Sequence, residues 1–268
     1  MRVAVAGCLG RMGRLIVQQV QSTPTLLLSA CTVSPKSDCV GQDIGTCFGA
    51  ASWGVIASTR AEDLFQDADG IIDFTTPELT AQHLELVQHH PKPLVIGTTG
   101  LTPEHHELLQ RASQVAPILY AANYSVGITL LRRLVKQAAQ YLGATDFDVD
   151  ILEKHHRYKM DAPSGTALAL GQSVAEGRNE EFQDLKCLDR TRRVESRSSG
   201  EIGFAVVRAG GIVGEHDVIF ASSDEVVTLS HQALSRNIFA VGAVRALLWL
   251  HHKPPGLYSM DNVLGFGD

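Results

Sequence analysis

The densest concentration of reactive side chains is the run Glu153-Lys154-His155-His156-Arg157-Tyr158-Lys159-Met160-Asp161-Ala162-Pro163-Ser164-Gly165-Thr166. Two adjacent histidines stand among lysine and arginine and lead into the start of a helix. An imidazole titrates near neutrality, which suits proton transfer, and Lys159 can meet an anion as a point charge. Ser164 is a natural N-cap, behind which Gly165 and Thr166 would turn main-chain N–H groups toward an anion such as a carboxylate. Metal binding by His155 and His156 is the rival chemistry. Adjacent residues of an extended segment point to opposite sides, however, and neither an HExxH pattern nor a cysteine partner is present. A solvated basic loop is the plain alternative.

A second concentration is Gly7-Cys8-Leu9-Gly10-Arg11-Met12-Gly13, a GxxGxxG string between an apolar strand and a helix. Glycines at such a turn let the backbone approach a pyrophosphate, and the helix N-terminus supplies unpaired N–H groups. About 20 residues further on, where an acidic residue usually meets the ribose 2′-hydroxyl, the chain reads Cys31-Thr32-Val33-Ser34-Pro35-Lys36. Strict NAD preference is therefore not indicated, and Ser34 with Lys36 could accept a 2′-phosphate. Gly97-Thr98-Thr99-Gly100 follows another strand, where it could shape a nicotinamide ribose pocket or serve as a tight turn before Thr102.

The elements that must position these residues are legible in the apolar spacing. Val3 to Ala6, the helical stripe Met12, Leu15, Ile16, Val20, and Leu26 to Leu28 make a β-α-β unit. Strands at 70–74, 94–97 and 118–121 alternate with helices at 78–90 and 103–112, the pattern of a doubly wound parallel sheet. A helix with the stripe Ile128, Leu131, Leu134, Val135, Ala138, Tyr141 and Leu142 follows. Strand patterns then dominate at 147–151, 202–207, 218–220 and 226–229, without the long helices that parallel crossovers need. A strong helix at 237–250 returns toward the first domain, and the tail 254–268 has no clear periodicity. The expected division is 1–126 plus 236–268, a dinucleotide-binding domain, and 127–235, an insertion.

Segment 189–200 holds Arg190, Arg192, Arg193 and Arg197 among serines and reads as solvated surface charge, with a lid over an anionic ligand as the alternative. His89-His90, His105-His106 and His251-His252 read as surface residues. Glu215-His216 reads as a turn leading into a strand.

The chain has 268 residues, and 29 acidic against 23 basic residues give a net charge of -6, which excludes a generally basic nucleic-acid binder. With 44% hydrophobic and 19% charged residues it reads as an ordinary globular protein rather than a disordered one. Five cysteines without a CxxC pair imply neither a zinc ribbon nor a disulfide framework. The apolar runs are too short for a membrane span, and Met1-Arg2 leads straight into a strand rather than a signal peptide; a cytoplasmic protein is expected.

Taken together, the chain resembles the 4-hydroxy-tetrahydrodipicolinate (dihydrodipicolinate) reductase family of diaminopimelate and lysine biosynthesis, nearly end to end. The carriers are residues 5–13, Asp73-Phe74-Thr75-Thr76-Pro77, Gly97 to Gly100, Ala121 to Gly127, Glu153 to Thr166, and Arg208 to His216. Most specific is His155-His156-x-x-Lys159-x-Asp161-Ala162-Pro163-Ser164-Gly165-Thr166. The resemblance implies a Rossmann-type α/β domain completed by the C-terminal helix. It further implies an inserted α+β domain on an open mixed sheet, which binds substrate and assembles a homotetramer. The implied reaction is NAD(P)H-dependent reduction of a cyclic dicarboxylate, hydride going to C4 and a proton coming from a histidine, with no metal.

By the family pattern His155 and Lys159 are the catalytic pair, and His156, Gly165 and Thr166 hold substrate carboxylates. Gly7, Cys8, Leu9, Gly10, Arg11, Met12, Gly97, Thr98, Thr99, Ala121, Ala122, Asn123 and Tyr124 contact the cofactor by that pattern, and Ser34 joins them from the residue reading above, where it could accept a 2′-phosphate. Many members place an acidic residue and an arginine after the second strand where this chain has Val33-Ser34, which leaves NADH or NADPH open. Two rival readings remain. Another dehydrogenase of the aspartate pathway would show a nucleophilic cysteine or a different lysine pattern, and a non-catalytic dinucleotide sensor would not need the His155 to Thr166 cluster.

Overall fold

The structure is a computed structural model that describes residues 1–191 and 194–266. The chain divides into two compact units, Met1–Ser125 with Arg236–Asp268, and Val126–Ser235.

The first unit opens with β1 (Arg2–Ala6), α1 (Arg11–Gln21) and β2 (Leu27–Thr32). Short elements follow: α2 (Ile44–Cys47), β3 (Ala57–Ser58) and α3 (Asp63–Gln66). Regular alternation resumes with β4 (Gly70–Asp73), α4 (Pro77–Val87), β5 (Leu94–Ile96), α5 (Pro103–Ser113) and β6 (Pro117–Tyr120). The second unit contains α6 (Val126–Tyr141), β7 (Asp148–His155), α7 (Gly165–Arg178), α8 (Phe182–Leu185), β8 (Lys186–Cys187), β9 (Ile202–Arg208), β10 (Gly214–Ala221) and β11 (Val226–Ala233). The chain then returns to the first unit as α9 (Asn237–Leu250), β12 (Gly256–Tyr258) and α10 (Met260–Val263).

In the first unit seven strands lie in the order β12-β6-β5-β4-β1-β2-β3, every neighbouring pair parallel. This is the doubly wound α/β sheet that the alternation of strands and helices predicts. Its central strands β1, β4 and β5 are buried almost throughout, without alternation, because both faces are covered. Ala4, Ala6, Ile71, Leu94, Ile96 and Ile118 pack with Leu84 and Val87 of α4 and Leu109 and Ala112 of α5. The other face meets α9, whose Leu247 side chain lies where a Cβ on Gly70 would stand, 2.7 Å away. Each such fully buried Ile or Leu contributes about 1.5–3 kcal/mol. The aperiodic tail holds a real strand: three residues of β12 extend the sheet beside β6, too few to leave a periodic signal.

The second unit is a mixed five-stranded sheet ordered β11-β10-β7-β9-β8. One expectation is corrected. The segment after β7 does contain a long helix, because α7 carries the chain from β7 to β9, and these two strands pair in parallel. Its glycines and alanines, spread around the helix, hide the helical period, and half of its residues are buried. One sheet face packs Val149, Ile151, Ile202, Val218 and Phe220 against Ile128, Leu131 and Val135 of α6 and Leu170 and Val174 of α7.

Segment 189–200 is exposed over most of its described residues, as a solvated segment should be, but the surface-charge reading is corrected at Arg190 and Arg197; Arg192 and Arg193 lie outside the described residues. Arg190 bonds Asp150 at 2.9 Å and Glu201 at 2.6 Å. Arg197 meets Asp148 at 3.0 Å, the Asp150 carboxylate, and the main-chain oxygen of Val149 at 2.6 Å. These arginines neutralise a row of aspartates spaced every second residue along β7. Among the described residues no helix is long and apolar enough to cross a membrane.

Candidate active site

The chemistry-bearing residues of the second unit gather at one end of β7. This strand alternates buried and partly exposed residues, and its buried face runs Val149, Ile151, Glu153, His155. Two ionisable groups thus continue an apolar row. Pairing places Arg208 of β9 opposite His155, and His216 of β10 opposite Glu153.

Glu153 is fully buried, and four hydrogen bonds surround its carboxylate. Arg208 donates from Nη1 to Oε2 and from Nη2 to Oε1, each at 2.7 Å. The main-chain N–H of Ser164 donates to Oε1 at 2.9 Å, and His155 Nδ1 lies 2.5 Å from Oε2. Burial alone would favour the neutral acid, but the Arg208 fork, His155 and the Ser164 N–H hold this carboxyl below the usual carboxylate range. Burial pushes His155 below the ordinary imidazole value, against the pull of the Glu153 charge.

Ser164 caps α7, its hydroxyl accepting from the Ala167 N–H at 3.2 Å. Gly165, the first residue of the helix, is exposed. Thr166 is partly buried beside it, and their N–H groups belong to the turn that a helix cannot satisfy internally. Lys159 pairs with Asp161 at 2.9 Å, and His156 is partly buried with its ring near Tyr158.

His216 is the residue sequence reasoning missed. It is no turn residue but a buried group on the Gly214, His216, Val218, Phe220 face of β10. Its Nε2 is 3.2 Å from Ser164 Oγ, and its ring stands edge-on to His155 at 5.2 Å. Since the Ser164 oxygen accepts from Ala167, its own O–H is free to donate to His216 Nε2. Burial, reinforced by the positive charge of a protonated His155, lowers His216 to about 4. The signal for both Glu153 and His216 was present in the sequence: each continues an every-second-residue apolar row.

In the first unit the glycine turn has the shape its spacing predicts. Gly7 adopts φ +63°, a conformation costly for any other residue. A Cβ on Gly13 would stand 2.1 Å from the Gly7 oxygen, so α1 can begin this close to the turn only with glycine there. Gly10 caps α1 without a side-chain hydrogen bond, which leaves the helix start open to an anion. Beside it is a cavity of about 580 Å³ lined by Gly7, Leu9, Gly10, Ser34, Thr75 and His83, among others. Its wall from Thr32 to Ala61 presents Val33, Ser34, Pro35, Ser37 and Thr59, and no carboxylate.

Other expected cofactor residues stand apart from that cavity lining. Cys8 is buried, Arg11 is exposed and Met12 partly buried. Gly97 presses on the Phe74 ring, Thr99 and Ala122 are exposed, and Ala121 is half-buried. Asn123 accepts the Ser125 N–H at 2.8 Å. Tyr124 is a core residue whose hydroxyl donates to the Ile96 oxygen at 2.7 Å.

Thr98 joins a network the sequence did not reveal. The buried Asp73 carboxylate accepts from Thr75 N at 3.0 Å and Thr80 Oγ1 at 2.8 Å, and pairs with buried His83 Nδ1 at 2.8 Å. Thr98 Oγ1 accepts from Thr75 N at 3.2 Å, so one buried pair ties the ends of β4 and β5 to α4. Burial opposes the Asp73 charge, yet His83 and the two threonines hold its carboxyl below the usual range. His105, expected on the surface, is half-buried there and completes the capping box of α5 with Thr102.

The sequence matches family models over both units: the model described as dihydrodipicolinate reductase, N-terminus, covers residues 1–124, and that described as dihydrodipicolinate reductase, C-terminus, covers 127–264. The chain is 46% identical over 268 residues to the 4-hydroxy-tetrahydrodipicolinate reductase of Methylocella silvestris, covering 100% of this chain and 98% of that one. It is 43% identical over 264 residues to the protein of the same name from Pseudoalteromonas atlantica, covering 98% of each. Among solved structures, the dipicolinate-bound dihydrodipicolinate reductase from Paenisporosarcina sp. TG-14 is similar at a TM-score of 0.76 and 27% identity, covering 98% of each chain.

Proposed function

The chain belongs to the dihydrodipicolinate reductase family, and from that premise we propose that it reduces 4-hydroxy-tetrahydrodipicolinate, or its dehydrated form, to tetrahydrodipicolinate in diaminopimelate and lysine biosynthesis, using NADH or NADPH. The observation that carries this reading is the convergence of a buried imidazole, its carboxylate and the start of α7 on one sheet end. Such a site suits a small cyclic dicarboxylate, and the Paenisporosarcina relative holds dipicolinate, a ring of that kind.

The residues present fit a dinucleotide. The left-handed Gly7 and the uncapped start of α1 would face its pyrophosphate, and the wall at Ser34 would meet its adenosine ribose. Without a carboxylate on that wall, either nucleotide is admitted. When bound, the reduced nicotinamide supplies a hydride equivalent to C4 of the substrate ring.

The chain's own groups do the rest. The start of α7 at Gly165 and Thr166, with His156, fixes substrate carboxylates, so that the ring is oriented before reaction. Reduction leaves negative charge at C3 and the ring nitrogen, and His155 delivers the proton that quenches it. Lys159, with its charge near that imidazole, stabilises the developing anion. His155 is below its ordinary value in the unliganded protein, and a bound dianion raises its proton affinity, arming it as an acid only with substrate in place.

The homotetramer that the resemblance implies would use the open face of the five-stranded sheet, where Val207 and Val226 are exposed. Light scattering is expected to give four times the 28.9 kDa chain mass; a monomer would remove that assignment. The decisive assay follows loss of NADH and, separately, NADPH absorbance, with substrate formed in situ from pyruvate and aspartate semialdehyde. Turnover supports the reductase, and comparing kcat/KM for the two nucleotides ranks them. Folded protein that binds nucleotide but turns over with neither would overturn it in favour of a dinucleotide sensor.

A further inference from the structure

Glu153 faces no solvent, yet its carboxylate reaches three elements: His155 on its own strand, Arg208 on β9 and the start of α7. We propose that Glu153 is the positioning residue of the reaction: it fixes which nitrogen of His155 carries the transferable proton and anchors the carboxylate-binding turn of α7 to the same strand. This rests on the reading of His155 as proton donor.

An ionised carboxylate can only accept hydrogen bonds. The arginine fork keeps Glu153 ionised, so the 2.5 Å contact requires His155 to donate from Nδ1. The neutral ring is thereby locked as the Nδ1–H tautomer, and Nε2 is the nitrogen that takes up and delivers the working proton. Space is left for this: the residue beside Nε2 is Gly214, where a Cβ would stand only 3.1 Å from that nitrogen. The same carboxylate receives the Ser164 N–H, so that the acid and the helix start beginning at Gly165 are spaced through one group.

The charged and titratable groups facing His155 are Glu153 on β7, Lys159 in the following loop, Arg208 on β9 and His216 on β10. Of these only Glu153 is negative. Its loss would therefore remove a charge that favours the imidazolium. A purely structural partner of Arg208 would leave both the tautomer and the proton affinity of His155 unchanged when replaced.

The test is to follow the 15N resonances of the His155 ring through a pH titration of the unliganded protein, with His155→Gln identifying the signals. The wild type is expected as the Nδ1–H tautomer. In Glu153→Gln the amide can donate to Nδ1, so the proton should move to Nε2 and the ring should titrate at lower pH. In parallel, kcat should fall about 100-fold or more, with a smaller rise in KM. Glu153→Asp keeps the charge and should restore the Nδ1–H tautomer with part of kcat. An Nε2–H tautomer in the wild type would overturn the proposal. So would a folded Glu153→Gln protein with the wild-type tautomer and pH profile. If Glu153→Gln does not fold, the wild type and Glu153→Asp still decide. Absence of turnover by the wild type with either nucleotide would strike the reduction reading instead, while the ring measurement, which needs no substrate, would still judge Glu153.

Discussion

His155 and Glu153 are two residues apart, and their chemistry follows from that spacing on a strand. Both side chains project to one face, where burial lowers the proton affinity of the imidazole and the carboxylate partly restores it. If His155 is the proton donor proposed, His155→Gln should cut kcat about 100-fold or more while KM moves far less, because that proton would be transferred only in the transition state. A KM effect with kcat unchanged would remove the acid role. Lys159→Ala, which deletes a charge felt by substrate and transition state alike, should damage both parameters, and wild-type kinetics would take it out of the site. The pH dependence has a defined sign. A general acid must be protonated, and His155 lies below its ordinary 6.5 in the free protein, so kcat/KM should decline as pH rises through that lowered value. The decline in kcat should come at higher pH, since bound dianion raises the proton affinity. A kcat/KM flat or rising through this window would contradict the assignment.

At the scale of elements, the two helix starts at the sites are built differently. Ser164 caps α7 with its side chain and is itself held by Glu153, whereas α1 begins at Gly10 with no side-chain cap. The difference suits a rigid clamp in one case and a main-chain anion cradle in the other. Gly13→Ala tests the second. Its methyl group would meet the Gly7 oxygen at 2.1 Å, which is backbone and cannot swing aside, so α1 must shift from the turn. Nucleotide affinity by calorimetry should fall at least about tenfold, the effect of roughly 1.4 kcal/mol. Unchanged affinity in a folded variant would show that the turn does not hold the pyrophosphate. How α4 meets β4 and β5 was not legible beforehand, because Asp73, His83 and Thr98 are far apart in sequence and nothing local says that they share a buried network.

For the whole molecule, the histidines of the second sheet set an acid limit on stability. His216 is about 4 in the folded chain against 6.5 for a free imidazole, so folding favours its neutral form. Its contribution is full above about pH 6.5 and is lost as pH falls toward 4, about 3 kcal/mol in all. His155 and His231 are lowered as well and act in the same direction. Melting temperature followed by circular dichroism should therefore drop across this window, and less steeply in His216→Asn. Equal slopes would show that His216 is not the group responsible.

What sequence alone determined is what local spacing carries. The apolar runs and the helical stripe of α1 announce a parallel α/β sheet, because sheet and helix periods are local geometry. The glycine turn and the Glu153 to Thr166 run are contiguous, so their residues could be named in advance. Tertiary structure decided the partners. Arg208 stands 55 residues from Glu153, and His216 stands 52 from Ser164. Strand register, set by hydrogen bonding along β9, β7 and β10, is what brings them to one carboxylate and one hydroxyl. The crossover helix α7 and the tail strand β12 were hidden for a related reason: one spreads small and apolar residues around its circumference and the other is only three residues long, so neither leaves a one-sided apolar stripe to read.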